Sequence, residues 1–462
     1  MQTRLRPMEQ LGGEVRTGLI IALAEGPVLI DSAFSESDDK VLLTRGRVLG
    51  GGVSQTSRPL GLVIKKGNTS IATATLVGGA INSRFYYFDG SKKKGVANPK
   101  TDVFIELVLQ PRYKSNVWRY MQVVKAIPLR EAPVDRLARL QTLQLKLLEP
   151  TTAGEAAIHL EAIGKEAITT LKTGLASKDP EVRFHAAEAL AYLDEADAAP
   201  VLGEAAQHTP AFRWAAIAAL GTMDHINAYD ALVNLLHISS AEARYGAFRA
   251  IRTRNPRDPL VRGEVLADGK VSYHVVPTTG EPMIHFAKSQ RPEIVLFGTD
   301  VRLAPPTYLE AGKSHDILVK GLDDEHLKVV RFVPGHDDLT EICSPELTQI
   351  IPAILKVGGD YTDVLQVMQQ AKKKGFVTAR IAIDALPQPG RIYERDDNEF
   401  SEPVHDEPIV TDTTTGQPKA ARDLDGWNKR DAKGPESDFN AGQKSKSKWN
   451  ILGRMSDWFG TE

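Results

Sequence analysis

A chain of 462 residues is long enough for two or three domains with cores of their own. Its 42% hydrophobic content and mean hydropathy of -0.24 are those of a globular protein. The net charge of -2 shows no basic surplus of the kind that marks nonspecific nucleic-acid binding, and the single cysteine, Cys343, excludes an internal disulfide and a cysteine-based zinc site.

Met1–Pro7 lack the apolar stretch of a secretory leader, so the protein is expected either to stay inside the cell or to lack its true start here. The longest near-apolar run, Leu19–Ala24, is far too short to span a bilayer. Leu19–Ala24, Val28–Ile30, Val41–Leu43 and Leu60–Lys65 are short Leu/Ile/Val runs bounded by Gly, Pro, Ser and Asp, and read as strands. Asn68-Thr69-Ser70 offers helix caps, and Ala74, Val77, Ile81 and Phe85 follow at helical spacing. Val103–Leu109 is another strand, Asn116–Val124 a short helix and Leu137–Leu148 an amphipathic helix.

Between Glu155 and Asn255 the chain repeats itself. Ser177–Leu190, Gln207–Leu220 and Ile238–Ile251 each carry Arg then an aromatic residue: Arg183-Phe184, Arg213-Trp214 and Arg244-Tyr245. Alanine follows three residues after each Arg (Ala186, Ala216, Ala247), and Leu or Ile seven after. A fixed period near 30 residues predicts stacked helix pairs, none of which buries its apolar face alone. Asp179-Pro180-Glu181 is a helix start: Asp caps free N–H groups, Pro fits the first turn, and Glu suits the positive end of the dipole. Glu155–Leu175 reads as a degenerate first unit. The pattern is similar to HEAT-type repeats, most closely at Asp179–Leu190.

After Pro259 strands return at Val271–Val276, Met283–Ala287, Glu293–Phe297 and Ile317–Val319. Ser344-Pro345-Glu346 opens a short helix that Pro352 is expected to kink or end. A second helix is capped by Asp360–Thr362, carries Lys372, Lys373 and Lys374 in its last turn and stops at Gly375. Ala379–Leu386 alternates as a strand. Asp396–Lys448 is charged, rich in Pro, Gly, Thr and Lys, and reads as disordered. At the end Ile451, Leu452, Met455, Trp458 and Phe459 share one side of a helical projection, which suits docking on protein or, with the upstream lysines, a membrane surface.

No enzyme signature emerges: no catalytic, cofactor-binding or metal-ligating residues are assigned and no cofactor is expected. Gly50-Gly51-Gly52 lacks the Lys-Ser/Thr of a phosphate loop and reads as a turn. No Gly-x-Ser-x-Gly elbow occurs, and no histidine pair has zinc-protease spacing. His336-Asp337-Asp338 could reach a metal but reads better as a solvated loop, as do Asp323-Asp324 and Asp396-Asp397. Cys343 reads as a packed, inert thiol. Arg183, Arg213 and Arg244 could form a ladder for an anion; their recurrence with the packing motif favours ties to carbonyls or acids of adjoining units.

The flanks of the array resemble the flagellar basal-body P-ring protein family, in a planctomycete-type form that carries a HEAT-like insertion. Ala22-Leu23-Ala24-Glu25-Gly26-Pro27 is similar to the family's Ala-x-Ala-Gln-Gly-Pro, and Gly46-Arg47-Val48 with the glycines through Val53 to its Gly-Arg-Ile and Asn-Gly-Ala turn. Leu62–Phe85 resembles the strand and helix ending in Ala-Ile-Asn-x-Arg-Phe. Glu293–Arg302 and Tyr361–Gly375 resemble a later strand and helix of that family. The opening β segment and signal peptide of the family have no counterpart.

The expected fold class is therefore α+β. A β-rich P-ring-like core comes in two halves, residues 1–130 and 261–395; an all-α HEAT-like array fills 131–260, and a disordered tail follows over 396–462. The two halves are expected to fold back into one β-containing body from which the array protrudes. The resemblance implies a non-enzymatic structural subunit of the P ring, a homo-oligomeric periplasmic ring that surrounds the flagellar rod and serves motility. Its implied partners are rod and outer-ring proteins and peptidoglycan, with no nucleic acid and no integral membrane segment. The alternative is a soluble cytoplasmic HEAT-repeat scaffold that binds a protein partner.

Overall fold

The computed structural model describes residues 2–6, 8–11, 14–26, 28–30, 40–57, 59–289, 291–305, 307–312 and 316–395. The expected disordered tail and its amphipathic end lie outside the described residues. Small antiparallel pairings begin the chain. β1 (Gln2–Leu5) pairs with β4 (Ala22–Glu25), which also pairs with β7 (Gly52–Ser54); β2 (Met8–Leu11) pairs with β3 (Glu14–Thr17), and β5 (Leu29–Ile30) with β6 (Gly46–Arg47). Val41–Leu43, expected as a strand, instead lies in the one-turn helix α1 (Lys40–Thr44). A three-residue apolar run has no periodicity to separate the two states, and the Thr44 hydroxyl donates back to the Val41 carbonyl at 2.9 Å.

A three-stranded sheet follows, in the order β11 (Ala97–Pro99), β12 (Phe104–Leu107), β8 (Leu60–Val63), with α2 (Ile71–Arg84) across it. The Ser70 hydroxyl accepts from the Thr73 N–H at 3.0 Å, starting α2 where its caps were expected, and Ala74, Gly78 and Ile81 form the buried face. Between α2 and β11 in the chain comes a hairpin, β9 (Tyr86–Asp89) and β10 (Lys92–Gly95), turning at Gly90-Ser91. Helix α3 (Val117–Ala126), capped by Asn116, closes this flank.

The array comprises α4 (Pro133–Leu147), α5 (Pro150–Ile163), α6 (Ile168–Leu175), α7 (Pro180–Tyr192), α8 (Ala198–His208), α9 (Pro210–Leu220), α10 (Ile226–Leu235) and α11 (Ala241–Arg254). The repeated alanines Ala186, Ala216 and Ala247 are wholly buried, as are Leu190, Leu220 and Ile251. Small residues let neighbouring helices approach, and the branched residues fill the common interior.

The second flank joins a five-stranded sheet to a four-stranded one. The first runs in the order β13 (Gly263–Leu266), β14 (Val271–Val276), β16 (Glu293–Phe297), β15 (Met283–Phe286), β21 (Arg380–Ile383). The second is an antiparallel meander of β17 (Tyr308–Ala311), β18 (Ile317–Gly321), β19 (Leu327–Arg331) and β20 (Leu339–Cys343). Strand β16 is buried along its whole length because both faces of its sheet are covered. Val295 and Phe297 belong to the core that runs through the array, whereas Ile294 and Leu296 belong to the core under α12 (Leu347–Lys356) and α13 (Tyr361–Lys373).

Helix α12 continues through Pro352 rather than ending there. Loss of one backbone bond costs about 3 kcal/mol, which burial of Ile350, Ile351, Ile354 and Leu355 offsets. Helix α13 starts in a full capping box: Asp360 accepts from Thr362 and Asp363 N–H groups, and Asp363 accepts from the Asp360 N–H. Gly375, at φ 74°, follows its end.

The fold is α+β with a helical repeat array, as expected, but its parts are arranged differently. Among the described residues no strand before the array pairs with a strand after it. Helix α2 belongs to the core that continues through the array, and α13 to a separate core that Leu29 and Leu49 also join. The two halves therefore meet only in part: Leu29 and Leu49 of the first join the core around α13, whereas α2 and its sheet pack against the array. The reason is visible at the two junctions, where the array supplies the apolar face that each flank needs.

Each junction also carries a buried ionic cluster. At the first, Arg119 of α3 donates from Nη2 to Glu161 of α5 at 2.6 Å and pairs through Nη1 with Glu188 of α7 at 2.5 Å. The Tyr113 hydroxyl donates to the other oxygen of Glu161 at 2.6 Å. Burial works to lower the Arg119 pKa, but Glu161 and Glu188 outweigh it and hold it above the ordinary value. At the second, Glu293 of β16 accepts from the Tyr245 hydroxyl at 2.7 Å and pairs with Arg252 of α11.

Candidate functional site

The repeating arginines point inward along the array. Arg183 donates to the Lys178 carbonyl at 2.9 Å and Arg213 to the Ala206 carbonyl at 2.9 Å, while Arg244 donates to the carbonyls of Ile238 and Glu281. Each satisfies backbone oxygens just before its own helix. Arg213 also reaches Glu242 of the next unit at 3.1 Å. Arg213 and Arg244 thus staple their helices to the neighbouring unit and to the second flank, while Arg183 ties only its own unit.

Sequence reasoning missed the surface these staples build. The leading ends of α7, α9 and α11 lie side by side, and each offers one side chain outward: Glu181, Phe212 and Glu242. Asp179 fixes the first by accepting from the Glu181 and Val182 N–H groups at 2.9 and 3.1 Å. Phe212 stacks on Phe184 with ring centroids 4.1 Å apart. Arg213 holds Glu242 from beneath. The result is an acid–aromatic–acid row spanning three units.

The chain's own residues 387–395 cross this row, back from α11 towards α5, with a turn at Pro389-Gly390 before the contacts of 391–395. Pro387 sits against Gly246, where a β-carbon would come within 2.7 Å of the Pro387 ring. Arg391 grips both oxygens of Glu242, one of them at 2.8 Å. The Tyr393 ring stacks on Phe212 at 4.6 Å. Arg395 donates to both oxygens of Glu181 at 2.5 and 2.8 Å and to the Pro150 carbonyl at 3.2 Å. Burial acts to raise the Glu181 pKa, yet hydrogen bonds to His185 and Arg395 leave it below the usual carboxylate range. Ile392 and Glu394, the intervening residues, point to solvent.

The other sequence candidates stay apart. His336, Asp337 and Asp338 lie on the exposed turn between β19 and β20, and no group of metal-ligating side chains occurs among the described residues. Asp323 caps its own turn, accepting from the His326 N–H at 2.7 Å. The Cys343 thiol is half-buried on β20, and burial beside Glu341 pushes its pKa up to about 11, away from thiolate chemistry. Gly50 is the left-handed residue of the turn between β6 and β7. Asp396-Asp397 lies outside the described residues.

A second surface was hidden by averaging. Residues 41–130 hold 15 Lys and Arg against three Asp and Glu, so the near-neutral chain is strongly polarised. On the exposed hairpin, Tyr86, Phe88 and Lys93 share one face, with Lys93 Nζ 3.8 Å from the Tyr86 ring centre and Phe88 66% exposed. Local charge counting, rather than a whole-chain sum, would have found it.

Among the described residues no helix is long and apolar enough to cross a membrane. No curated protein and no solved structure matches the chain. Residues 142–211, from within α4 to the start of α9, match the family of HEAT repeats, so this part of the chain is similar to a HEAT-repeat array.

Proposed function

We propose that the protein is a non-enzymatic scaffold whose helical array holds an extended protein segment across the leading ends of α7, α9 and α11. The observation that carries this reading is the acid–aromatic–acid row already engaged by residues 391–395. Stacked repeats form long continuous surfaces suited to such segments, whereas the candidate chemical residues are scattered. The test is a chain carrying Glu181→Arg and Glu242→Arg, checked for native circular dichroism and introduced in place of the wild type. It reproduces the phenotype of gene deletion if the groove is the working surface. A folded, groove-reversed chain with wild-type behaviour overturns the reading.

A second reading is a subunit of the periplasmic flagellar P ring, meeting the rod, outer-ring proteins and peptidoglycan. It is favoured by the local likeness of Leu62–Phe85, Glu293–Arg302 and Tyr361–Gly375 to that family. Ring closure requires a head-to-tail contact between different surfaces of successive subunits. Ring-shaped particles in electron micrographs and loss of motility on deletion support it; a purified chain that stays monomeric at high concentration, together with a deletion strain that stays motile, removes it.

A further inference from the structure

The way residues 387–395 are held differs from the way the rest of the chain is held. Between Pro387 and Glu394 no backbone–backbone hydrogen bond to the array is present among the described residues. Attachment is by alternate side chains alone, the signature of a bound peptide rather than of a strand or helix. Gln388, Pro389 and Gly390 are exposed and bridge two points of contact, Pro387 and Arg391.

The spacing explains why these residue types are used. Packed helices lie roughly 8–10 Å apart, so two units separate Glu181 from Glu242 by roughly 16–20 Å, whereas four extended residues cover only about 13 Å. Long arginine side chains make up the difference at both ends, and the central tyrosine meets the unit between. Each guanidinium fork matches a carboxylate in two-point contact, which lysine does not reproduce.

We propose that this row is a recognition site for extended segments of the pattern Arg-x-Tyr-x-Arg, and that residues 391–395 are its resident ligand in cis. The inference rests on the scaffold reading and adds to it the chemistry of the partner: a basic–aromatic segment that competes with the chain's own. Tethering gives the cis segment an effective concentration on the order of millimolar. Only a partner that binds tightly, or is itself multivalent, displaces it.

The test uses the full chain and a fluorescein-labelled peptide with the sequence of residues 385–396. Arg391→Ala, Tyr393→Ala and Arg395→Ala together vacate the row. That chain binds the peptide at least tenfold more tightly than the wild type in fluorescence anisotropy, with an affinity that falls as salt rises. A peptide with Glu in place of both end arginines does not bind it, and adding Glu181→Arg and Glu242→Arg to the opened chain abolishes binding. Gly246→Ala is an independent opener, because its new methyl meets Pro387 and Ile217 while leaving the three contact residues intact; it raises binding of a shorter peptide, residues 390–396, which lacks Pro387.

Equal binding of the peptide by the wild-type chain and by both opened chains, each with a native circular dichroism spectrum, overturns the proposal. So does equal binding of the charge-reversed peptide. If the peptide fails to bind but the groove-reversed chain still reproduces the deletion phenotype, the scaffold stands with another ligand. If the peptide binds and the phenotype is wild type, the row is a cis latch and the scaffold reading falls.

Discussion

Arg119 shows how much of this molecule depends on single buried charges. It lies in the interior between two carboxylates, Glu161 and Glu188, that come from different helices of the array. Removing one member of such a cluster leaves the others charged and unpaired, at a cost of about 3–5 kcal/mol. Arg119→Ala is therefore expected to lower the unfolding free energy, extrapolated from urea titrations, by that amount, and a change below about 1 kcal/mol would show that the cluster is dispensable.

Histidines at the other junction set the acid limit of the fold. His285 is fully buried, stacks on Tyr245 at 3.5 Å, and accepts at Nε2 from the Ala385 N–H at 3.0 Å. Burial, with a smaller contribution from Arg249, holds its pKa down to about 3; burial and Arg252 also lower that of His274. A histidine kept neutral when folded gives stability that is complete above about pH 6.5 and is lost as pH falls below it. The loss amounts to about 1.4 kcal/mol per pH unit per histidine until the folded pKa is reached. Asp363, raised by burial to about 6, works in the opposite direction below that pH. Melting temperature is expected to fall between pH 6.5 and 5, and His285→Gln to flatten that slope; an unchanged slope would assign the acid sensitivity elsewhere.

At the scale of elements, the repeat helices stand on their first turns. Asp179 is the side-chain cap of α7, and α7 carries one end of the acid–aromatic–acid row. Asp179→Ala is expected to cost about 1 kcal/mol, seen as a lower denaturant midpoint with an unchanged slope. It is also expected to loosen Arg395, so that proteolysis after residues 391–395 becomes faster. Most elements of the array were readable because caps, alanines and core residues recur in phase. The hairpin of β9 and β10 was passed over although Gly90-Ser91 is a hairpin turn signal, since Lys92–Lys94 have poor strand propensity and no apolar alternation. Likewise Val41–Leu43 and the passage of α12 through Pro352 were decided by neighbours that local patterning does not contain.

For the whole molecule, polarity of charge is the property with the widest reach. A chain of net charge -2 whose residues 41–130 carry 15 basic and three acidic residues has a strong separation of charge. It is expected to bind a cation exchanger at low ionic strength and neutral pH, and Lys92→Glu with Lys93→Glu to shorten its retention. Failure of the wild-type chain to bind would mean that the basic side chains are neutralised within the fold.

What the sequence determined by itself was local: the period of the array, its capped helix starts, four of the five strands of the five-stranded sheet and the α+β class. These follow from contacts within about one helical turn or one repeat, which leave a periodic trace. Only the tertiary structure decided that the array packs against parts of both flanks, that Arg119 and Glu293 anchor its two ends, and that residues 391–395 return to cross α11, α9 and α7. Those contacts join residues 41 to 245 positions apart. They arise from complementary charge and shape that come together after the elements have packed, and such matching leaves no period in the chain.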